Sequence, residues 1–172
     1  MDYLVIVLRL LHIISGVFWV GAALMLTFFI SPTVRATKEA GQGFMGYFMG
    51  QTKFNLVMWT SALTTVIAGF ILYWIRSVGF TSDWIHSGPG IGFGTAAGFA
   101  VLGLIVGVFQ GKNSNALARL GRQIQSQGAP PSPSQAARLQ NLGKALGIGG
   151  MLNATFLILA TVGMAIARYL SF

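Results

Sequence analysis

The sequence predicts an all-α integral membrane protein: a four-transmembrane-helix, up-down-up-down bundle with a cytoplasmic helical hairpin extension. Of the 172 residues, 54% are hydrophobic and only 8% are charged. Four apolar runs each reach the roughly 20 residues that a membrane-spanning helix needs, at residues 3–30, 54–76, 91–111 and 146–170. None of these runs contains proline, so nothing in them interrupts a helix.

The formal net charge of +8 is divided unevenly between the two sides of this predicted bundle. Eight of the eleven Lys and Arg residues fall in segments 31–53 and 112–145. The positive-inside rule therefore places both segments in the cytoplasm and both termini outside, as expected for the cell inner (plasma) membrane. We expect the basic side to contact anionic lipid headgroups rather than nucleic acid.

The connecting segments carry recognisable helix signals. In segment 31–53, aromatic and methionine residues interleaved with glycines predict a short helix at the inner interface. In the outer loop, 77–90, the sequence Ser87-Gly88-Pro89-Gly90 predicts a turn that starts the third span. The hairpin 112–145 has apolar stripes at helical spacing, a glycine at the expected helix end, Gly128, and a capping box at Ser132-Pro133-Ser134-Gln135.

Glycines recur on the third span at four-residue spacing, which lets helices approach closely. They are Gly94, Gly98, Gly103, Gly107 and Gly111. Packing inside the bundle is the first interpretation, and a homodimer or a membrane-complex partner is the alternative.

The first span carries polar and small residues along one helical face. They are Arg9, His12, Ser15, Gly16, Trp19 and Ala23, spaced three, four and seven residues apart. An ionisable side chain inside a membrane span is costly and marks a functional-site hypothesis. His12 is therefore the leading candidate, although a neutral histidine that bonds to a neighbouring helix backbone is the alternative. Arg9 has the alternative of snorkelling to the headgroups, and Trp19 that of simple packing.

Composition excludes several kinds of chemistry. The chain has no Cys, so it has no disulfide, thiolate metal site or iron–sulfur cluster. Its three carboxylates, Asp2, Glu39 and Asp83, lie outside the spans. A carboxylate-pair hydrolase and a carboxylate proton relay are therefore nearly excluded.

The second histidine, His86, lies in the outer loop, on the side toward which His12 is also expected. Two imidazoles can flank a heme iron or share a copper ion, and solvated loop residue is the alternative for His86. Arg9, Arg76 and Arg168 are expected at the same level, where guanidinium groups can pair with heme propionates.

Other polar or soft side chains in the spans have ordinary roles as their first interpretation. Asn153 is expected to form an interhelical hydrogen bond, with the second-span hydroxyls Thr60, Ser61, Thr64 and Thr65 as possible partners. Met25 and Met58 would line a copper path if the protein handles copper, and otherwise fill apolar space.

The sequence Leu11-His12-Ile13-Ile14, followed by Trp19, Val20 and Gly21, resembles the opening helix of the copper-resistance protein D (CopD)-like membrane proteins. It is also similar to the HemJ-type protoporphyrinogen oxidases. The resemblance covers about the first 75 residues. It implies a helical bundle with a functional first-span histidine, associated with heme b in one group and with copper handling in the other.

These observations lead to one first choice and two alternatives. The first is a protein that binds heme b through His12, with His86 as a weaker second ligand, and acts in membrane redox chemistry or porphyrin handling. The alternatives are a copper-handling membrane protein and a cofactor-free accessory subunit of a membrane complex.

Overall fold

Helices account for nearly all of the chain in the computed structural model, which describes residues 3–171. The α-helices in this range are α1 (Tyr3–Met25), α2 (Ser31–Ala36), α3 (Lys38–Gln51), α4 (Phe54–Arg76), α5 (Gly88–Gln127) and α6 (Pro133–Ile166). Four helical segments within it are long and apolar enough to cross a membrane: Tyr3–Ala36, Phe54–Arg76, Gly88–Gln127 and Pro133–Tyr169. The predicted fold class is confirmed, and the protein is an all-α, multi-pass membrane protein.

The first helical segment runs six residues beyond the apolar run that ends at Ile30. A π-helical turn, Leu26–Ile30, joins α1 to α2 without a break in the helix. Pro32 explains the turn, because a proline has no N–H and its ring clashes with the carbonyl four residues earlier, here that of Phe28. Widening the helix at this point accommodates the proline and keeps the chain helical as far as Ala36.

The bundle consists of two closely packed helix pairs, α1 with α4 and α5 with α6, which smaller contacts between α1 and α6 and between α4 and α5 hold together. Its central cluster is formed by Trp19, Ala23, Ala62 and Leu157. Three of these helices thus meet around one large aromatic ring. The small Ala62 on the facing α4 leaves space for this ring, as is usual where membrane helices approach closely.

A belt of exposed apolar side chains marks the part of the bundle that lipid must cover. On α5 these side chains extend from Ile91 to Phe109, and on α6 from Ile148 to Ile166. Each stretch is about 27 Å long, which matches the roughly 30 Å hydrocarbon thickness of a bilayer. Residues 110–147 contain no exposed large apolar side chain. They form a hairpin that extends about 27 Å past the belt.

The helix ends are stabilised by the predicted signals. The Ser87 hydroxyl accepts a hydrogen bond from the Gly90 N–H at the start of α5. Gly128 ends α5 in the left-handed conformation, with φ of 60°. Ser132 and Gln135 form the reciprocal capping box at the start of α6.

The glycines of α5 divide between two environments. A Cβ at Gly103 would lie 2.9 Å from the Leu157 side chain, and one at Gly94 would lie 3.4 Å from the Tyr73 hydroxyl. Gly98 and Gly107 have no neighbouring atom within 4 Å of such a Cβ. The glycine stripe therefore serves packing inside the bundle at some positions and is open at others.

The turn after α4 holds three successive residues in the left-handed region: Val78, Gly79 and Phe80, with φ of 51°, 71° and 67°. This conformation is unfavourable for a β-branched valine. The fully buried Ser77 fixes the turn, because its carbonyl accepts the N–H groups of Thr81 and Ser82, and its hydroxyl accepts that of Phe80. As a result, the Phe80 ring packs edge-on against Trp74.

Candidate functional site at His12

The half-buried His12 side chain lies at the contact between α1 and α4. Its Nδ1 atom is 2.8 Å from the carbonyl oxygen of Thr65, a residue 53 positions later in the chain. This hydrogen bond ties the ring to the backbone of the neighbouring helix. The structure thus contains the bond to a neighbouring helix backbone that is the alternative interpretation of His12. The state of the second ring nitrogen, Nε2, follows from this bond.

Gly69 makes this position of the ring possible. A Cβ at Gly69 would lie 2.7 Å from His12 Cε1 and 2.9 Å from His12 Nδ1, closer than real side chains approach. One turn further along α1, a Cβ at Gly16 would touch the Thr65 methyl group at 3.4 Å. The imidazole therefore occupies space that exists only because position 69 has no side chain.

The hydrogen bond determines the tautomer of a neutral His12. A carbonyl oxygen can only accept, so Nδ1 must carry the proton that is donated to Thr65. In a neutral imidazole the Nε2 atom then has no proton and presents a lone pair. A histidine that is oriented through one nitrogen by a backbone carbonyl, with the other nitrogen free, is the usual state of a metal-ligating histidine.

None of the other residues predicted for this site forms a hydrogen bond with His12 in the part of the chain that the structure describes. Trp19 is 4% exposed and packs in the central cluster. The exposed Arg76 guanidinium lies 5.5 Å from the centre of the Trp84 ring, and that of Arg168 lies 5.6 Å from the centre of the Tyr169 ring. Arg9 and His86 are exposed, and no hydrogen bond or ion pair between described residues joins them to His12.

The structure can be compared with what a porphyrin or a copper ion requires. The His12 ring is fixed by its hydrogen bond and, when neutral, has an unprotonated nitrogen, which is the donor atom that a histidine would provide to a heme iron. The part of the chain that the structure describes contains no group of three or more His, Cys, Asp or Glu side chains able to hold a metal ion. Met25 is exposed on α1, while Met58 packs against the central cluster.

Sequence reasoning did not identify Thr65 and Gly69 as partners of His12. Both lie on α4 four residues apart, and two small residues at that spacing indicate a close helix contact. That pattern predicts a close contact on this face of α4, but it does not identify the helix that makes the contact.

The hydrogen-bond prediction for Asn153 is wrong. Its Oδ1 atom is buried without a partner and lies close to Gly103 of α5. The hydroxyls of Thr60 and Thr65 instead donate to carbonyls of their own helix. In a helix, threonine hydroxyls can reach the carbonyl one turn back, and this local bond competes with an interhelical one.

Comparison with models of protein families, with curated proteins and with solved structures gives no match for this chain. The fold and the site define its class: a four-span helical membrane protein with an oriented histidine between its first two spans.

Proposed function

We propose that the protein binds heme b in the membrane, with His12 Nε2 as an axial ligand, and that it acts in redox chemistry or porphyrin handling. One observation carries the proposal: the 2.8 Å hydrogen bond from His12 Nδ1 to the Thr65 carbonyl. It orients the ring and assigns the lone pair of a neutral imidazole to Nε2.

The surroundings of His12 favour a neutral ligand over a charged one. The spans contain no carboxylate that could pair with an imidazolium, and an unpaired charge inside a membrane is costly. A carbonyl partner also fixes the ring orientation of a ligating histidine. A bound heme would supply one-electron chemistry, while the protein sets its potential through the ligand and the burial of the site.

The other residues predicted for the site have secondary roles in the proposal. His86 is a weaker second ligand, and Arg9, Arg76 and Arg168 are candidate partners for the propionates. Trp19 supports the site from the core, about two turns along α1 from His12 on the same face. Each assignment is tested separately from that of His12.

The test is the absorption spectrum of the protein, purified in mild detergent from heme-replete cells and recorded oxidised and after dithionite reduction. We expect a Soret band with reduced α and β bands, and we expect His12→Ala to abolish it. Gly69→Ala should alter the spectrum, because the new methyl group displaces the ring. His86→Ala tests the second ligand separately: it should retain the band and change the spin state if His86 is a ligand.

Two other results would overturn the heme proposal. A protein that stays colourless after hemin addition but binds Cu(I), sensitively to Met25 or Met58 substitution, would be a copper-handling protein. A protein that binds neither would be an accessory subunit, for which the open glycines Gly98 and Gly107 offer a surface for a second copy or another membrane subunit.

We also propose that the hairpin 112–145 is cytoplasmic and that both termini are outside, in the cell inner membrane. The support is the eight Lys and Arg residues in the two segments on that side. Because the chain has no cysteine, a single Ser134→Cys variant reports its own side. Labelling by a membrane-impermeant maleimide in intact cells, rather than only after lysis, would refute this orientation.

A further inference from the structure

A groove of about 380 Å³ lies between the inner end of the first helical segment and α3. One wall consists of Phe29, Ile30 and Val34, with the two threonines at positions 33 and 37. The other wall consists of Ala40, Gly41 and Phe44. The volume falls within the range of small-molecule sites, roughly 300–1,000 Å³.

A close contact between the two helices forms this groove. A Cβ at Gly41 would lie 2.6 Å from the Val34 carbonyl oxygen, so only glycine allows α3 to approach α2 this closely. Lys38, at the corner between the helices, adopts the left-handed conformation with φ of 49°. The chain thus changes direction at Lys38, and α2 and α3 stay in contact next to it.

The walls offer an occupant apolar contact and almost no hydrogen bonding. The Thr33 hydroxyl donates to the Phe29 carbonyl at 2.7 Å, and the Thr37 hydroxyl donates to the Thr33 carbonyl at 2.8 Å. Both polar groups in the groove are therefore already paired as donors. An occupant that matches these walls is a hydrocarbon chain.

The position of the groove favours a membrane lipid as the source of that chain. The side chains of Phe44 and Tyr47 on α3 are 53% and 69% exposed. Exposed aromatic rings on a helix beside four membrane spans indicate that α3 lies in the interfacial region, with its apolar side chains toward lipid. The groove is then within reach of the inner-leaflet acyl chains.

The cationic side chains near the groove favour a lipid with an anionic headgroup. Segment 31–53 has three cationic side chains and one carboxylate, Glu39. The guanidinium of Arg35 lies close to Gly147 on α6, and Lys53 lies beyond the end of α3. The remaining cation is Lys38, an exposed residue that separates the two walls of the groove in the sequence. We propose that the groove holds one acyl chain of an anionic glycerophospholipid, whose phosphate is bound by Lys38. This proposal is independent of heme binding.

Native mass spectrometry of the full-length protein tests the proposal, with equal amounts of phosphatidylglycerol and phosphatidylcholine of the same chain length added to the detergent. We expect at least a threefold preference for the phosphatidylglycerol adduct. Ala40→Trp fills the groove and should remove that adduct. Gln42→Trp is the matched control, because a rotation of about 200° places it on the opposite face of α3, and it should retain the adduct. Lys38→Gln should retain an adduct but lose the preference.

Far-UV circular dichroism of each variant confirms that it is folded. Equal adducts of the two lipids on the unmodified protein, or none, would overturn the proposal. It would equally fail if folded Ala40→Trp kept the adduct, or if Ala40→Trp and Gln42→Trp lost it alike.

Discussion

The contact between His12 and Gly69 makes the strongest test of the helix packing at the candidate site. In Gly69→Ala the new methyl carbon would lie 2.7 Å from His12 Cε1, so the ring must move and its 2.8 Å bond to Thr65 must break. Overpacking of this kind costs about 1–3 kcal/mol, and a lost hydrogen bond costs about 1 kcal/mol. The helix gains about 1 kcal/mol when alanine replaces glycine.

The balance predicts that Gly69→Ala lowers the free energy of unfolding by about 1–3 kcal/mol. Gly98→Ala is the matched control, since nothing lies within 4 Å of a Cβ there, and it should be neutral or stabilising. The assay is reversible unfolding of the purified protein in mixed micelles, followed by circular dichroism.

A double-mutant cycle separates the clash from any general effect of alanine on α4. In the His12→Ala background no ring is left to displace, so Gly69→Ala should stabilise the protein by about the helix-propensity gain alone. The predicted coupling between the two positions is about 2–4 kcal/mol. If Gly69→Ala has the same effect in both backgrounds, the ring does not occupy the space above Gly69 and the reasoning is wrong.

Three further substitutions test other parts of the structure. Ser77→Ala should destabilise the protein by about 0.5–1.5 kcal/mol in the same unfolding assay, because the N–H of Phe80 loses its hydroxyl acceptor; an unchanged midpoint would show that the left-handed turn does not depend on it. Ser132→Ala should cost about 0.5–2 kcal/mol, seen as faster hydrogen exchange at the start of α6 and not in the spans. Gly103→Leu should prevent stable folding, since its Cβ meets α6, whereas Gly107→Leu should fold; equal behaviour of the two would contradict the observed orientation of α5.

The features that depend on neighbouring residues were predictable from the sequence. The left-handed end of α5 at Gly128 and the capping box of Ser132 follow from residues within one turn of each other. The left-handed turn at residues 78–80 was not predictable in this way. Valine and phenylalanine disfavour that conformation, and it persists here because of hydrogen bonds to the buried Ser77.

The candidate site likewise has features that the sequence predicts and features that depend on how the helices pack. The spans, and the presence of the ionisable His12 inside one of them, were predictable from hydrophobic length and charge, which are properties of the chain alone. The packing of the helices was needed to show that His12 meets Thr65 and Gly69, that Trp19 lies in the core, and that the Asn153 side-chain oxygen has no partner. Many rotations of one helix about another satisfy the same hydrophobic pattern, and the choice among them depends on which small residues face which large ones across the finished interface.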